Sequence, residues 1–592
     1  MRRIVRRAPL FSLLLVALGL ASRSGNAARD PGREPERFSF ADDPVTVTPR
    51  GPTLTLLGAR HAPVRREGAR DEFADALGPG LDLVRERRAA SDADGPTGAL
   101  EDWVRLPAKP REPRVRYAMS LGALAGLRLV GGVLEVLDPE GTPRARMRPP
   151  WIADASGRRR PVSVQVLGCA VDRDPRAPWG RAPVAPGAAS CTVELSWDLA
   201  ASDYPALLDP EWSDAGDLAV GRSLHSATLL ANGRVLIAGG YSTDLGADVA
   251  ASELYDPSTR TFAATGALAT ARRAHSATAL DGGRVLVLGG DVSFNPPSVL
   301  ASVERYDPST GQWTPLPALA EPRSHHTASR LRDGRVLVAG SLDYARDGLA
   351  SSAVELCASD GTSCRRTASM GAPRAAHSAS LLPDGRLLVA GGGAKIFNDL
   401  NSLHATTEIF DPQGEAWRPG PTLPRARFDH AAVALASGTT LLMGGSLSPQ
   451  GAETTDEVLA VSPAGAVSVA RPLGAARWLH QATAVSGERV FILGTAAPFY
   501  RPSTSATAEL YDPARGTSTT PDLEPRYWHT QTLLADGSVL VVGGGQVLTP
   551  RRARIFTPPP PPPPPEPPPS APPPSASTTA PAPPPSAADA AP

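Results

Sequence analysis

Seven of the chain's ten histidines stand at a near-constant interval: His225, His275, His326, His377, His430, His480 and His529, separated by 50, 51, 51, 53, 50 and 49 residues. Each has an arginine three residues before it: Arg222, Arg272, Arg323, Arg374, Arg427, Arg477 and Arg526. A period near 50 residues that returns seven times implies stacked supersecondary units, each burying its apolar face on the next, and not one globular enzyme core. The unit is clearest in the second repeat. Arg272-x-x-His275 opens a strand ending near Leu280, and Asp281-Gly282-Gly283 turns the chain. Arg284–Leu288 is an apolar run closed by Gly289-Gly290, and a variable loop follows from Asp291 to about Ala301. Val303-Glu304-Arg305-Tyr306-Asp307-Pro308 makes a third strand and Gln312–Leu316 a fourth, across a Ser-Thr-Gly turn. Four short strands with glycine turns form one blade of a β-propeller.

The double glycine, the Tyr-Asp-Pro and the tryptophan after the turn resemble the kelch motif. The double glycine recurs at Gly239-Gly240, Gly391-Gly392, Gly444-Gly445 and Gly543-Gly544, but Gly340 is followed by Ser341 and Gly494 by Thr495. Tyr-Asp-Pro recurs at Tyr255, Tyr306 and Tyr511, with Phe410 in the fourth repeat, and fails at Cys357-Ala358 and Val461-Ser462-Pro463. The resemblance covers roughly residues 209–558 and implies an all-β fold, a seven-bladed kelch-type β-propeller. It does not imply one function, because kelch propellers include enzymes, adhesins and scaffolds. The last repeat supplies three strands only. Asp209-Pro210-Glu211-Trp212 followed by Leu218 matches the end of a repeat, so the 209–220 segment is expected to complete the last blade and remove its open edge.

The flanks differ in kind. Arg2, Arg3, Arg6 and Arg7 followed by the apolar run Leu10–Leu20 read as a secretory signal over residues 1–27, the run being too short to span a bilayer. Residues 28–205 read as a β-rich, sandwich-like domain, with a hairpin turn at Gly131-Gly132 and a short helix expected over Asp71–Leu77. Residues 559–592 form a proline-rich tail; from Pro558 onward there are 19 prolines in 35 residues and no aromatic, a composition that cannot bury a core and suits polyproline II or disorder. The four cysteines allow three pairings; local spacing favours Cys169–Cys191 and Cys357–Cys364, and an even count in an exported chain suits disulfides.

Net charge is zero, which gives no footprint for nucleic acid or a membrane surface. The seven histidines invite a metal site, yet adjacent blades hold equivalent positions too far apart for one zinc ion, so the Arg-x-x-His repeat is read as a structural pair at each blade-to-blade turn. Galactose oxidase and related copper-radical oxidases share the fold, and their motif places a tyrosine directly before the histidine. Here that position holds Leu224, Ala274, His325, Ala376, Asp429, Leu479 or Trp528, so the resemblance does not extend to the copper ligands. No nucleophile elbow, zincin, Walker or dinucleotide motif is present, and no catalytic residue, metal or cofactor is expected. Loop acids such as Asp244, Asp248, Asp291, Asp343, Asp347 and Asp399 are unpatterned. The Lys395–His404 loop, with Asn398, Asp399 and Asn401, is the candidate ligand loop. The expected protein is an exported, monomeric, non-enzymatic binder of protein or polysaccharide at the cell surface or in the envelope, without a transmembrane segment. A carbohydrate-active kelch enzyme (an oxidase or a sialic-acid mutarotase) and a pure scaffold are the alternatives.

Overall fold

The computed structural model describes residues 99–559, with breaks at 122–123, 210, 215, 293–297, 344–347, 396–401, 449–452, 496–507, 521–525 and 546–549, and five short strands before residue 99. Residues 1–27, where a signal is expected, and the tail from residue 560 lie outside the described residues. No described helix is long and apolar enough to cross a membrane.

The repeats each fold into one antiparallel sheet. In the second, Ser276–Ala279, Val285–Leu288, Val303–Asp307 and Gln312–Leu316 pair in chain order. Among the described residues, six such sheets have four strands and the last has three: Thr530–Leu533, Val539–Val542 and Arg554–Phe556. The second strand of the second repeat, Val285-Leu286-Val287-Leu288, is buried along its whole length because blades cover it on both faces. Tyr306 packs on Leu230, Leu236 and Leu254 of the preceding blade, and the same contact recurs where Phe410 meets Leu331 and Leu337.

The double glycine has a steric cause. A side chain on Gly239 would sit 2.6 Å from the Arg272 carbonyl and 2.7 Å from the His275 ring of the next blade. One on Gly240, at φ 101°, would sit 2.9 Å from the His225 Cβ of its own blade. Where the second glycine is replaced, the strand runs on instead of breaking: Val336–Asp343 carries Ser341 with a bulge, and Arg489–Thr495 carries Thr495.

Ahead of the propeller, a five-stranded sheet and a larger sheet face each other over one core. Tyr117, Met119, Val193 and Leu195 from the first meet Leu127, Leu134, Ile152 and Leu208 from the second. Cys169 is bonded to Cys191 in this sandwich, and Cys357 to Cys364 in the third blade. Two expectations are overturned. Asp71–Phe73 are extended, since Arg70–Phe73 pairs with Val64–Glu67 and with Asp82–Arg88, while Ala74–Leu77 lie outside the described residues. Seven residues cannot sustain an isolated helix, and two neighbouring strands supply the backbone partners. The fourth strand of the last blade is not supplied by residues 209–220. Glu211–Asp214 pairs with Pro143–Met147 and Ala99–Leu106 in the sandwich. It follows Ala206–Asp209, already paired in that sheet, across a single residue, which keeps it there.

The ring closes without that strand. Leu218 lies among Val235 and Ile237 of the first blade and Leu540 and Val542 of the last, and its amide donates to the Arg551 carbonyl at 3.0 Å. The sandwich is bolted to the first blade, whose outer strand Thr261–Thr265 is buried throughout while the outer strand of the second is largely exposed. Arg128 donates to Glu135 at 2.7 Å, and the other Glu135 oxygen accepts the Ala264 amide at 2.8 Å. Burial raises the Glu135 pKa, against the pull of Arg128.

Candidate functional site at the loop face of the ring

Each repeat arginine is fully or almost fully buried and holds its own blade together. Arg323 Nη1 donates to the Gly340 and Ala353 carbonyls at 2.9 and 2.8 Å, while Nη2 meets Glu355 at 2.9 Å. Arg222 does the same with Gly239, Ala251 and Glu253, Arg272 with Gly289, Ser302 and Glu304, and Arg374 with Gly391, Thr406 and Glu408. Arg427 pairs with Glu457 and Arg477 with Glu509. In the last blade Arg554 stands at the glutamate position, and Arg526 bonds the Gly543 and Arg552 carbonyls. The glutamates are not part of the Arg-x-x-His signature, yet Glu253, Glu304, Glu355, Glu408, Glu457 and Glu509 recur at close to the same period as the arginines.

Five of the seven repeat histidines bond across to the preceding blade. His275 Nε2 meets Ser226 Oγ at 2.9 Å, His326 meets Ser276 at 2.8 Å, His377 meets Thr327 at 3.0 Å and His430 meets Ser378 at 2.8 Å. His225 meets Thr530 of the last blade at 2.9 Å, so the same contact spans the closure. His529 lies 3.3 Å from the Gln531 side chain instead, and His480 has Ala431 opposite it. Burial first, and the neighbouring arginine second, push His275, His377, His430, His480 and His529 down to about 3, so all stay neutral.

The residue before each histidine is left-handed, with φ between 47° and 57°. This turns the peptides around the axis: Leu224 N donates to Trp528 O at 3.0 Å, Ala274 N to Leu224 O at 3.0 Å, Ala376 N to His325 O at 3.1 Å and Asp429 N to Ala376 O at 3.0 Å. Non-glycine residues held at positive φ each cost roughly 1–2 kcal/mol, which these inter-blade bonds offset.

The face around this ring has two characters. Over the first three blades it is charged. Asp291 accepts from Arg273 Nε at 2.7 Å through one oxygen and from Ser324 Oγ at 2.6 Å through the other. Arg273 also reaches Asp248 at 3.0 Å and lies over the Tyr241 ring. Short hairpins, Tyr241–Ser242 with Ala247–Asp248 and Asp291–Val292 with Ser298–Val299, present these groups. His325 sits beside them; burial lowers its pKa while Asp291 opposes the shift. Beneath the later blades' loops lies a buried apolar cluster of Leu342, Ala375, Phe428 and Trp478, and the half-buried Tyr527 and Trp528 stack edge to face at 4.8 Å. Asp429 stands in this second arc, and burial raises its pKa to about 7.

In the candidate ligand loop, Ser402 staples the base by bonding the Lys395 amide and carbonyl at 3.1 and 2.9 Å. His404 Nε2 bonds the Pro373 carbonyl at 2.9 Å, which makes it a fixed part of the blade. Asn398, Asp399 and Asn401 lie outside the described residues, as does Asp347. Asp244 accepts from Arg551 at 2.9 Å. Among the described residues, no three histidine, cysteine, aspartate or glutamate side chains converge as a metal site would require.

Comparison with known proteins agrees with this geometry. The Kelch motif family matches residues 272–320. Adagio protein 3 of Arabidopsis thaliana is similar at 26% identity over 29% of this chain and 30% of its own length. Kelch-like protein 35 of Homo sapiens is similar at 32% identity, over 27% of this chain and 25% of its own. The chain thus spans less than a third of these curated relatives. A solved structure described as a novel fungal alcohol oxidase with catalytic diversity, in complex with copper, overlaps 57% of this chain and 74% of its own at 19% identity and a TM-score of 0.47. With the repeat chemistry above, the protein is a kelch-repeat β-propeller, all-β throughout its described residues apart from two single 3-10 turns.

Proposed function

We propose that the chain is an exported, non-enzymatic binding protein whose loop face recognises a protein or polysaccharide of the cell envelope. One observation carries this reading. The repeat arginines bond within their own blades and most repeat histidines bond across to the blade before. What remains toward the loop side is half-buried: Tyr241, Asp248 and His325 over the early blades, and Tyr527 and Trp528 over the last. Rigid scaffolds that present varied loops suit recognition, and mixed aromatic and charged surfaces supply the anchors on which binding energy concentrates. A run of basic and apolar residues at the start of the chain supports export. The test is capture from envelope extract, beside a glycan array, with wild type and Trp528→Ala. Saturable binding weakened about ten-fold or more by Trp528→Ala supports the reading. Absence of binding in both formats overturns it and leaves a scaffold.

Asp429 favours a second reading. A carboxyl that titrates near neutrality in an apolar surround is suited to acid–base work on a sugar. Turnover of any sugar by the wild type, lost in Asp429→Asn with binding retained, would replace the binding reading with an enzymatic one.

A further inference from the structure

Between the fifth and sixth blades, at the end of the strands away from the loop face, lies a groove of about 500 Å³. Its origin is visible in the repeat. In the second blade Tyr306 is paired across the sheet with Trp313, and in the fourth Phe410 with Trp417. Both indoles anchor on the blade before, Trp313 Nε1 donating to the Gly266 carbonyl at 2.9 Å and Trp417 Nε1 to Ala368 at 2.8 Å. In the sixth blade the register partner of Tyr511 is Thr517. A threonine thus stands at the register position where the second and fourth blades carry an indole, and the groove lies in the seam that this blade makes with the fifth. Its apolar wall is Leu435, Leu441, Ala460 and Ala470. Ser437, Thr439 and Arg515 at the rim carry hydrogen-bond donors.

We propose that this groove is the docking site of the chain's own proline-rich tail, residues 560–592. A polyproline helix has apolar ridges and outward carbonyls, and its prolines have no amide to donate, so it fits an apolar floor with donors at the rim. The rim supplies donors of that kind. The tail also starts in the right place. Phe556 stacks on Phe491 of the sixth blade at 4.1 Å, and Arg489 Nη2 holds the Pro559 carbonyl at 2.7 Å. Arg489 directly follows Gly487 and Glu488, which line the groove, and Glu488 accepts the Ser437 amide across the seam at 3.0 Å. At about 3.1 Å per residue the 33 residues after Pro559 reach roughly 100 Å, far more than the width of one turn. This inference is independent of what binds the loop face.

The test uses a fluorescent peptide of residues 560–574, titrated by polarisation into the full chain, into a chain ending at Pro559, and into that shortened chain carrying Thr517→Trp. The expected result is saturable binding to the shortened chain, about ten-fold weaker binding to the full chain, whose tethered tail competes at high effective concentration, and loss of binding in Thr517→Trp. Equal binding to the full and shortened chains, or binding that survives Thr517→Trp, overturns the proposal. Amide exchange keeps the test open should that variant fold poorly. Loss of the tail should speed exchange at residues 435–441 and 487–489 and leave the equivalent turns of the second blade unchanged; no difference would also overturn it.

Discussion

Around the axis, each of the first six blades holds a buried arginine on a glutamate and on carbonyls of its own sheet. At the rim the same six blades disagree. The cross-strand pair there is Tyr255–Phe262, Tyr306–Trp313, Cys357–Cys364, Phe410–Trp417, Val461–Val467 and Tyr511–Thr517 in turn. The difference follows from what each place asks of a side chain. A buried guanidinium needs every partner in position, and any substitute leaves a charge or a carbonyl unmet. The rim asks only for volume between two blades, and an aromatic pair, a disulfide or a valine pair stands there; the groove lies at the seam where the pair is Tyr511–Thr517. The inner wall is thus fixed by electrostatics and the outer seam by packing.

Acid separates the two regions most sharply. The folded-state pKa of five inner histidines is held at about 3, below the unfolded value near 6.5. The unfolded chain therefore binds more protons between these values. The stability these groups confer is complete above about pH 6.5 and falls as pH drops toward 3, by up to roughly 1.4 kcal/mol per pH unit for each histidine. Asp429, raised to about 7, works in the opposite direction but is a single group. Thermal melts should fall steeply from pH 7 to pH 5. A flat Tm over that range would mean that the inner histidines are not held neutral.

Removing one inner charge comes next. Arg323→Ala leaves Glu355, about 1% exposed, without its cation and two carbonyls without donors, and should cost about 3–5 kcal/mol in urea unfolding. At the rim, Cys357→Ser with Cys364→Ser opens a loop of sequence separation 7 and should cost only about 2–3 kcal/mol. The pair Cys357→Tyr with Cys364→Trp should recover part of that loss, because the two positions are cross-strand partners in the register of Tyr306 and Trp313. Failure of the aromatic pair to recover any stability would break the claim that the seam asks only for volume.

What could be read from the chain divides along the same line. The arginines and histidines announce themselves because their geometry tolerates no substitute, so the letters recur. Tyr-Asp-Pro lapses at Cys357 and Val461 because packing accepts several answers, and a lapse in letters is no lapse in structure. The expected role of residues 209–220 failed for a different reason. Asp-Pro-Glu-Trp has the letters of a fourth strand, but pairing is decided by which edge lies beside it, and Ala206–Asp209 had already placed it in the sandwich. The left-handed ring was hidden because Leu, Ala, His, Asp and Trp at positive φ carry no sequence signature; the inter-blade bonds impose it. In the Lys395–His404 loop the sequence shows a polar run but not which carbonyl the His404 ring meets, that of Pro373.

The smallest effect lies inside the inner wall, where two of the seven rungs of the histidine ladder depart from the rest, His529 meeting Gln531 of its own blade and His480 facing an alanine. Five blades place Ser226, Ser276, Thr327, Ser378 or Thr530 under the next histidine, and each meets Nε2 within 3.0 Å. In the fifth blade that residue is Ala431, and the buried His480 ring only leans toward the Met443 carbonyl outside hydrogen-bonding geometry. Ala431→Ser adds one oxygen where the other blades carry theirs. It should stabilise the chain by about 0.5–1.5 kcal/mol, the net worth of a hydrogen bond that satisfies a buried donor. The same change in His480→Phe, which has no Nε2 to meet, should bring no gain. A gain in both backgrounds would trace to the serine itself. A gain confined to the histidine background would show that the inner wall is held by hydrogen bonds made one blade at a time, including across the join between the last blade and the first, where Thr530 meets His225 and, among the described residues, no shared strand does.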